Sequence, residues 1–209
     1  MARSIVLSNG SLLVGLDRHG LVRDFYYPHV GHANHVSGAS GSYMHRIGVW
    51  CEGKLYWINE PGWEVHVTMP TTNEKGAITA IHEGIGLTIL FEDVVHNEHS
   101  VFLRHVSIRN HNEDEREVRI FFGQEFRISE SRRGDTAFYD PRVSAIVHYK
   151  GNKVFLIRTL CEGKSFDDYT VGLFGIEGKE GSYADALDNA LSKNAIEHGS
   201  VDSVIGVTC

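Results

Sequence analysis

Alternation of apolar and polar residues with a period of two constrains this chain more than any other feature. Between Glu115 and Ile128, Val118, Ile120, Phe122, Phe126 and Ile128 fall on one side of an extended backbone; Glu117, Arg119, Glu125 and Arg127 fall on the other. Successive strand side chains point to opposite faces, so the pattern predicts a strand with one face on a core and one toward solvent. Ile85, Leu87, Ile89 and Phe91 alternate in the same way with Gly86, Thr88, Leu90 and Glu92. Shorter β-like runs occupy 12–16, 22–27, 45–50, 55–58, 64–69, 101–108, 145–149, 154–158 and 171–174, and 203–209 carries the pattern to the last residue.

The connections between these runs are short. Gly151-Asn152 and Glu52-Gly53 have the form of two-residue hairpin turns, and Asn110-His111-Asn112 reads as a further turn. Asn9-Gly10-Ser11 matches a glycosylation acceptor, but Asn-Gly between apolar runs reads better as a hairpin turn. Strands recur without helical crossovers, which excludes a parallel sheet. The expected fold is all-β: a large antiparallel two-sheet β-sandwich with at most one or two short helices. Helical spacing is confined to Tyr183–Asn194, through Ala184, Leu187 and Leu191, with Ser182 as cap and Asp185 in the first turn. No internal repeat or linker breaks the chain, so residues 1–209 read as a single domain that stops inside an element.

Composition narrows the function. Twenty Lys and Arg against 27 Asp and Glu leave a net charge of −7 with His neutral, which disfavours nucleic acid and anionic lipid as partners. Ser8-Asn9-Gly10 interrupts the N-terminal apolar run before a signal sequence forms, and no stretch approaches the roughly 20 apolar residues of a membrane span. A cytoplasmic protein is expected. Three widely spaced cysteines, Cys51, Cys161 and Cys209, fit free thiols in a reducing compartment. Thirteen His are many for this length; protonating all of them would take the charge from −7 to −7 + 13 = +6, a sign reversal in mild acid. A measured isoelectric point well below about 5 would exclude that reversal.

The familiar chemical motifs fail one by one. His29, His32 and His35 recur at spacings of three, but Pro28 and Gly31 make the segment an irregular loop with no paired acidic ligand. His96-Asn97-Glu98-His99 and His82-Glu83 lack the second His that zinc-protease motifs require. Gly163-Lys164-Ser165 has Arg158 where a phosphate loop has Gly, Gly84-Ile85-Gly86 leads into a strand, and Gly38–Ser42 lacks the last Gly of a nucleophile elbow. Glu113-Asp114-Glu115 reads as solvated charge, and the carboxylate pairs Asp167-Asp168 and Asp135 with Asp140 show no separation or burial from sequence alone. No catalytic residue, metal ligand or cofactor site emerges.

Several ordered stretches carry a more specific signal. Ser8–Asp17, Val22–Gly31, Val118–Phe122, Gly134–Pro141, His148-Tyr149-Lys150 and Gly199–Ser203 together resemble the N-terminal region of prokaryotic glucoamylase-like enzymes of glycoside hydrolase family 15. The resemblance implies an N-terminal β-supersandwich of about this size, followed by an (α/α)6 barrel that carries two catalytic glutamates. Such enzymes remove glucose from the non-reducing ends of α-glucans with inversion. This chain corresponds to the supersandwich alone, with the barrel expected after residue 209, in cis or encoded separately. None of its residues matches either catalytic glutamate. Gly15, where the family often has Asn, and His29, His32 and Ala33 depart from the family pattern and leave the linkage open, since related members act on dextran or trehalose.

A domain of this kind implies a surface that meets the barrel, with the α-glucan reached through the parent enzyme. The expected surface is the loop Phe25, Tyr26, Tyr27, Pro28, His29, Gly31, Asn34 and His35, joined by Asp135, Tyr139 and Asp140. Burial of Tyr26, Tyr27 and His35 together inside the sandwich would exclude it. Two other classes stay open. A stand-alone sugar-binding module needs an exposed aromatic row, for which Trp50, Trp57 and Trp63 are the candidates, and a metal-dependent sandwich enzyme would rest on the His loop.

Overall fold

The computed structural model describes residues 3–36, 45–68, 75–131, 133–176 and 179–209. The Gly38–Ser42 stretch and Met69 lie outside the described residues. Along the chain run β1 (Ile5–Ser8), β2 (Leu13–Leu16), β3 (Val22–Tyr26), β4 (His45–Cys51), β5 (Lys54–Trp57) and β6 (Glu64–Thr68). Then come β7 (Gly76–His82), β8 (Leu87–Val95), β9 (Phe102–Asn110), β10 (Val118–Glu125), β11 (Asp135–Asp140) and β12 (Ala145–Lys150). The last five are β13 (Lys153–Ile157), β14 (Asp168–Ile176), β15 (Lys179–Glu180), β16 (Ile196–Gly199) and β17 (Val201–Thr208). Helical structure among the described residues is limited to three short 3-10 turns, Glu83–Ile85, Ile128–Glu130 and Ser182–Asp188.

Every strand pair is antiparallel, and the protein is all-β. The expected single pair of sheets is not what forms. Four sheets divide between two compact units, one built from residues 1–43 and 58–115 and the other from 44–57 and 116–209. Periodicity marks strands and their two-sidedness but carries no information about partners far away in sequence. The β4–β5 hairpin, for example, joins β10 across the whole of β6–β9.

The first unit holds a three-stranded sheet, β1-β2-β3, and a four-stranded sheet, β6-β7-β8-β9. Leu87, Ile89 and Phe91 on β8 are fully buried as their alternation predicts, and so are Ile78 and Ala80 on β7 and Ile5, Val14 and Leu16. β1 lies so close to β7 that a Cβ on Gly76 would stand 2.8 Å from Ile5 Cγ2. Asp93 and Arg104 face each other across β8 and β9 in a two-pronged ion pair at 2.7 and 2.8 Å, and Arg104 also donates to the Gly20 carbonyl at 2.8 Å. The four-residue 9–12 connection confirms a turn at Asn9. Its Oδ1 accepts from Ser11 and Leu12 N–H, and its amide nitrogen donates to the His96 and His99 carbonyls.

The second unit holds a six-stranded sheet, β15-β14-β17-β10-β4-β5, and a four-stranded sheet, β13-β12-β11-β16. Phe122 packs into a cluster with Ala137, Ile146, Phe166, Val171, Val201, Ile205 and Val207 between the sheets. Phe121, expected on the solvent side of β10, is completely buried in a second cluster with Leu55, Trp57, Ala186, Leu191 and Val204 on the opposite face. The 182–191 segment covers that face, and Glu125 and Arg127 are buried too. Both two-residue hairpins are present: Cys51 pairs with Lys54 and Lys150 with Lys153. Glu52 and Gly53 both have positive φ, and Gly151 at φ 57 takes the first turn position.

The expected Tyr183–Asn194 helix is a single 3-10 segment, Ser182–Asp188. Ser182 does not cap it; its N–H donates to both carboxylate oxygens of Asp202, at 2.9 and 2.8 Å. The segment beyond it is fixed by side chains. Leu191 N–H donates to Asp168, Thr170 and Ser192 share a hydroxyl hydrogen bond, and Asn194 donates to the Val171 carbonyl. Gly172 makes room for this attachment, since a Cβ there would lie 2.7 Å from the Ser182 nitrogen and 2.9 Å from Asp202 Oδ1. Gly172→Ala is therefore expected to destabilise the protein by about 1–3 kcal/mol in urea unfolding. Gly123→Ala, whose Cβ would meet only ordinary contacts at 3.5 Å and beyond, is expected to be tolerated; equal losses would refute the attachment.

Candidate functional site

The loop after β3 is braced from beneath. Asn34 is buried and returns to the strand by an isolated bridge to Tyr26. Its Oδ1 accepts from the Phe25 and Val36 N–H groups at 3.0 and 3.1 Å, and its amide nitrogen donates to Asp24 Oδ1 at 2.7 Å. Asp24 is gripped by Arg3, which donates to both its oxygens. Gly15 stands directly across from Asp24 in the ladder, where a Cβ would lie 2.6 Å from Asp24 Oδ2. Gly15 thus leaves the space that the Arg3–Asp24 pair fills. His35 is fully buried; its N–H donates to the Phe25 carbonyl, and its ring Nε2 to the Tyr27 carbonyl at 2.8 Å. That bond fixes the proton on Nε2, because a carbonyl only accepts.

These contacts hold out an exposed tip. The chain passes a cis Tyr27–Pro28 bond, Pro28 to His32 are exposed, and His32 N–H closes a turn on the His29 carbonyl. Gly31 takes φ 82, and the His29 and His32 rings sit 5.4 Å apart. Phe25, Tyr26 and Tyr27 are half-buried. Of the three residues whose joint burial would exclude a surface role, His35 alone is buried, so Asn34 and His35 are braces while Tyr26, Tyr27 and the tip remain accessible. Among the described residues no three His, Cys, Asp or Glu side chains converge as a metal site.

Asp135, Tyr139 and Asp140 belong to the second unit and do not form one surface there. Asp135 is 1% exposed on the inward face of β11, and burial pushes its carboxyl up to about 6, against the opposing pull of Lys150 at 3.3 Å. Tyr139 stacks on Tyr169 at 4.2 Å between ring centroids. Asp140 accepts from the backbone and guanidinium of Arg142, which holds its carboxyl below the usual range. His148, opposite Ala137 on β12, is fully buried with Nε2 2.8 Å from Ser203 Oγ, and burial drives it down to about 3.

The other sequence candidates resolve into structure. Asp167 and Asp168 share Arg119, each at 3.3 Å. Glu113, Asp114 and Glu115 are exposed. Trp57 is buried and Trp50 packs on the same cluster, so these two give no exposed sugar platform. Trp63 lies in the other unit, with its ring edge-on to His82.

The feature missed from sequence is an apolar sheet face. On the outer side of β13-β12-β11-β16, Leu156, Val147, Phe138 and Ile196 lie opposite one another in one row across four strands. Val154 and Tyr149 flank it. Leu156 and Ile196 are each 61% exposed. The signal is present in the sequence: Val154-Phe155-Leu156-Ile157 does not alternate, so both faces of that strand are apolar.

No family model matches the chain. Over 201 residues, or 96% of its length, the chain is 24% identical to a Methanocaldococcus jannaschii protein described as an uncharacterized glycosyl hydrolase, of which the match takes up 30%. Its fold is similar to part of the crystal structure of a bacterial glucoamylase complexed with acarbose, with a TM-score of 0.77 at 9% identity. That likeness covers 99% of this chain and 30% of the glucoamylase. The chain therefore spans less than a third of the length of the proteins it matches.

Two outcomes follow from the site's polar groups. His148 binds its proton near pH 3 when folded and near 6.5 when unfolded, so the unfolded state takes up more protons between these values and stability falls as pH drops through that window. Asp135 acts oppositely, taking up a proton from about 6 down to its ordinary 3.8 and gaining stability there. His148→Gln should flatten the acid loss by up to about 1.4 kcal/mol per pH unit, and Asp135→Asn should steepen it. Urea unfolding across that pH range checks both, and unchanged slopes would refute the assignments. Asn34→Ala leaves two backbone N–H groups and Asp24 without this partner; a loss of about 1–3 kcal/mol with faster amide exchange at 28–36 is expected.

Proposed function

We propose that this chain is the N-terminal β-domain of a glucoamylase-like glycoside hydrolase of family 15, cytoplasmic and without catalytic residues of its own. It packs on an (α/α)6 barrel, helps shape the active-site side, and acts with it on α-glucans from their non-reducing ends. One observation carries this reading: nearly the whole chain aligns with the same fraction, 30%, of a glycosyl hydrolase by sequence and of a glucoamylase by fold. The charged, braced interior supports it. Asp17, Asp24, Asp93 and Asp140 are each held by an arginine and Asp202 by the Ser182 N–H, whereas inverting hydrolysis needs two carboxyl groups held about 6.5–9.5 Å apart around a water.

The apolar outer face of β13-β12-β11-β16 supports the same reading, with the barrel as its occupant. Leu156 and Ile196 are each 61% exposed, whereas the outer face of β6-β7-β8-β9 mixes the exposed Val94 and Leu103 with Glu64–His66 and Glu92–Lys75–His105 pairs. Contiguous apolar surface of this kind marks a partner site. No helix among the described residues is long and apolar enough to cross a membrane.

The isolated chain is expected to release no glucose from maltooligosaccharides and to retain no immobilised α-glucan. Firm glucan retention by the chain alone would overturn the reading in favour of a binding module. In the barrel-containing polypeptide, Leu156→Lys with Ile196→Glu is expected to lower the melting temperature and kcat/KM. The same pair should leave the isolated chain folded by circular dichroism.

A further inference from the structure

We propose that His29 and His32 form a two-histidine site for one divalent transition-metal ion of the Zn2+ or Cu2+ class, at the tip of the loop after β3. The sequence offers three His at this spacing, but His35 is buried and bonded to the Tyr27 carbonyl, which leaves a pair. His32 N–H closes the turn on the His29 carbonyl, Gly31 takes φ 82, and both rings are exposed. Their centroids stand 5.4 Å apart, with 57° between the ring planes. An ion bound to a nitrogen of each ring at about 2.0–2.1 Å lies about 3.2 Å from each ring centre. At a near-tetrahedral angle of about 109–120° it holds the two centres about 5.2–5.5 Å apart. The pair already has the separation that a shared ion requires.

Availability singles out this pair among the exposed His of the first unit. His66 meets Glu64 at 3.0 Å, His105 meets Glu92 at 3.2 Å, and His111 Nε2 lies 2.8 Å from Thr88 Oγ1. The His96 and His99 rings are also close, at 4.7 Å, but His96 Nδ1 accepts from the Glu98 and His99 N–H groups. A metal on His96 Nε2 would move the ring proton onto Nδ1, against those two donors. His29 and His32 make no ring hydrogen bond among the described residues. The Asn34, Asp24 and Arg3 network holds the loop from beneath, so binding orders little that is not already ordered. The field favours a cation: the first unit has six Lys and Arg against 12 Asp and Glu, and 6 − 12 = −6 of the chain's −7. Imidazole suits Zn2+ and Cu2+, whereas Ca2+ and Mg2+ take oxygen ligands. Two protein ligands leave the other coordination positions to water, which makes the site open to further ligands.

The test titrates Cu2+ into the folded full chain at neutral pH, read by electron paramagnetic resonance and by the loss of NMR signals near the paramagnetic ion. The first equivalent is expected to show two nitrogen ligands and to erase the amide signals of residues 29–33 before any others. Excess Zn2+ should restore them. His29→Gln and His32→Gln should each weaken binding by about tenfold or more, since the second imidazole binds intramolecularly. His99→Gln should leave the affinity unchanged. Both tip residues are exposed, so their variants should keep the circular dichroism of the wild-type chain. First loss of signal at the amino terminus or around residues 96–105 would overturn the proposal, as would unchanged affinity in both tip variants. The site of first signal loss is read on the wild-type chain and does not depend on any variant folding. None of these readouts depends on glycosidase activity.

Discussion

Burial on both faces of the six-stranded sheet is the condition that the second unit is organised around. A strand with one face in water can leave its polar residues to solvent; β10 and β17 cannot. Several inward polar groups there find partners inside the protein, as burial favours. Ser203 on β17 meets the His148 ring from the facing sheet and lies near Gln124 on β10. Asp202, on the other face, accepts the Ser182 N–H and so fastens the segment that covers Phe121. Arg119 lies over the Phe121 ring while bonding Asn189, Asp167 and Asp168. Covering the sheet with an irregular segment requires this many side-chain attachments because the segment has few backbone hydrogen bonds of its own.

That same condition explains what can be read from the sequence. β10, the 52–53 and 151–152 turns and the antiparallel character all follow from local pattern, and the structure contains them. Two-sided burial leaves a different trace. Phe121 and Phe122 side by side break the alternation, and they pack into two different clusters. The break is visible in the sequence, but its meaning depends on what covers the far face. The spacing of Ala184, Leu187 and Leu191 suggests a helix; Leu191 and Ala186 are buried, yet Leu187 is exposed and the helix ends at Asp188. β7, Gly-Ala-Ile-Thr-Ala-Ile-His, is hard to read from sequence because its small residues give little apolar contrast, yet Gly76, Ile78 and Ala80 alternate inward and Gly76 lies against Ile5.

The candidate loop is located by its residues, but their roles divide in a way composition does not show. Asn34 and His35 have the polar chemistry expected of sugar contact, and both are spent on backbone groups of the loop itself. An isolated reading of Asp135 and Tyr139 likewise places functional chemistry where the structure places support. Side-chain type reports what a residue can bind, whereas burial decides whether it binds solvent, ligand or its own backbone. The excess of His is sorted by the same rule. His148 stays neutral in mild acid because burial drives it down to about 3, so the thirteen His do not charge together.

The two outer sheet faces differ in how much charge they carry. On β6-β7-β8-β9, Glu64, His66, Lys75, Glu92 and His105 pair across exposed positions beside the exposed apolar pair Val94 and Leu103; such ion pairs contribute little to stability. The face of β13-β12-β11-β16 has a continuous apolar row in the same structural position. Keeping Leu156 and Ile196 in water forfeits roughly 25 cal/mol for each Å2 of apolar surface left uncovered. Nothing in the local strand geometry requires apolar residues there, because Thr136 and His198 sit opposite one another on that face and share a hydrogen bond without disturbing the ladder. The apolar row therefore makes sense as a surface meant to be covered. The chain is similar to less than a third of each of two longer proteins, a glycosyl hydrolase by sequence and a glucoamylase by fold.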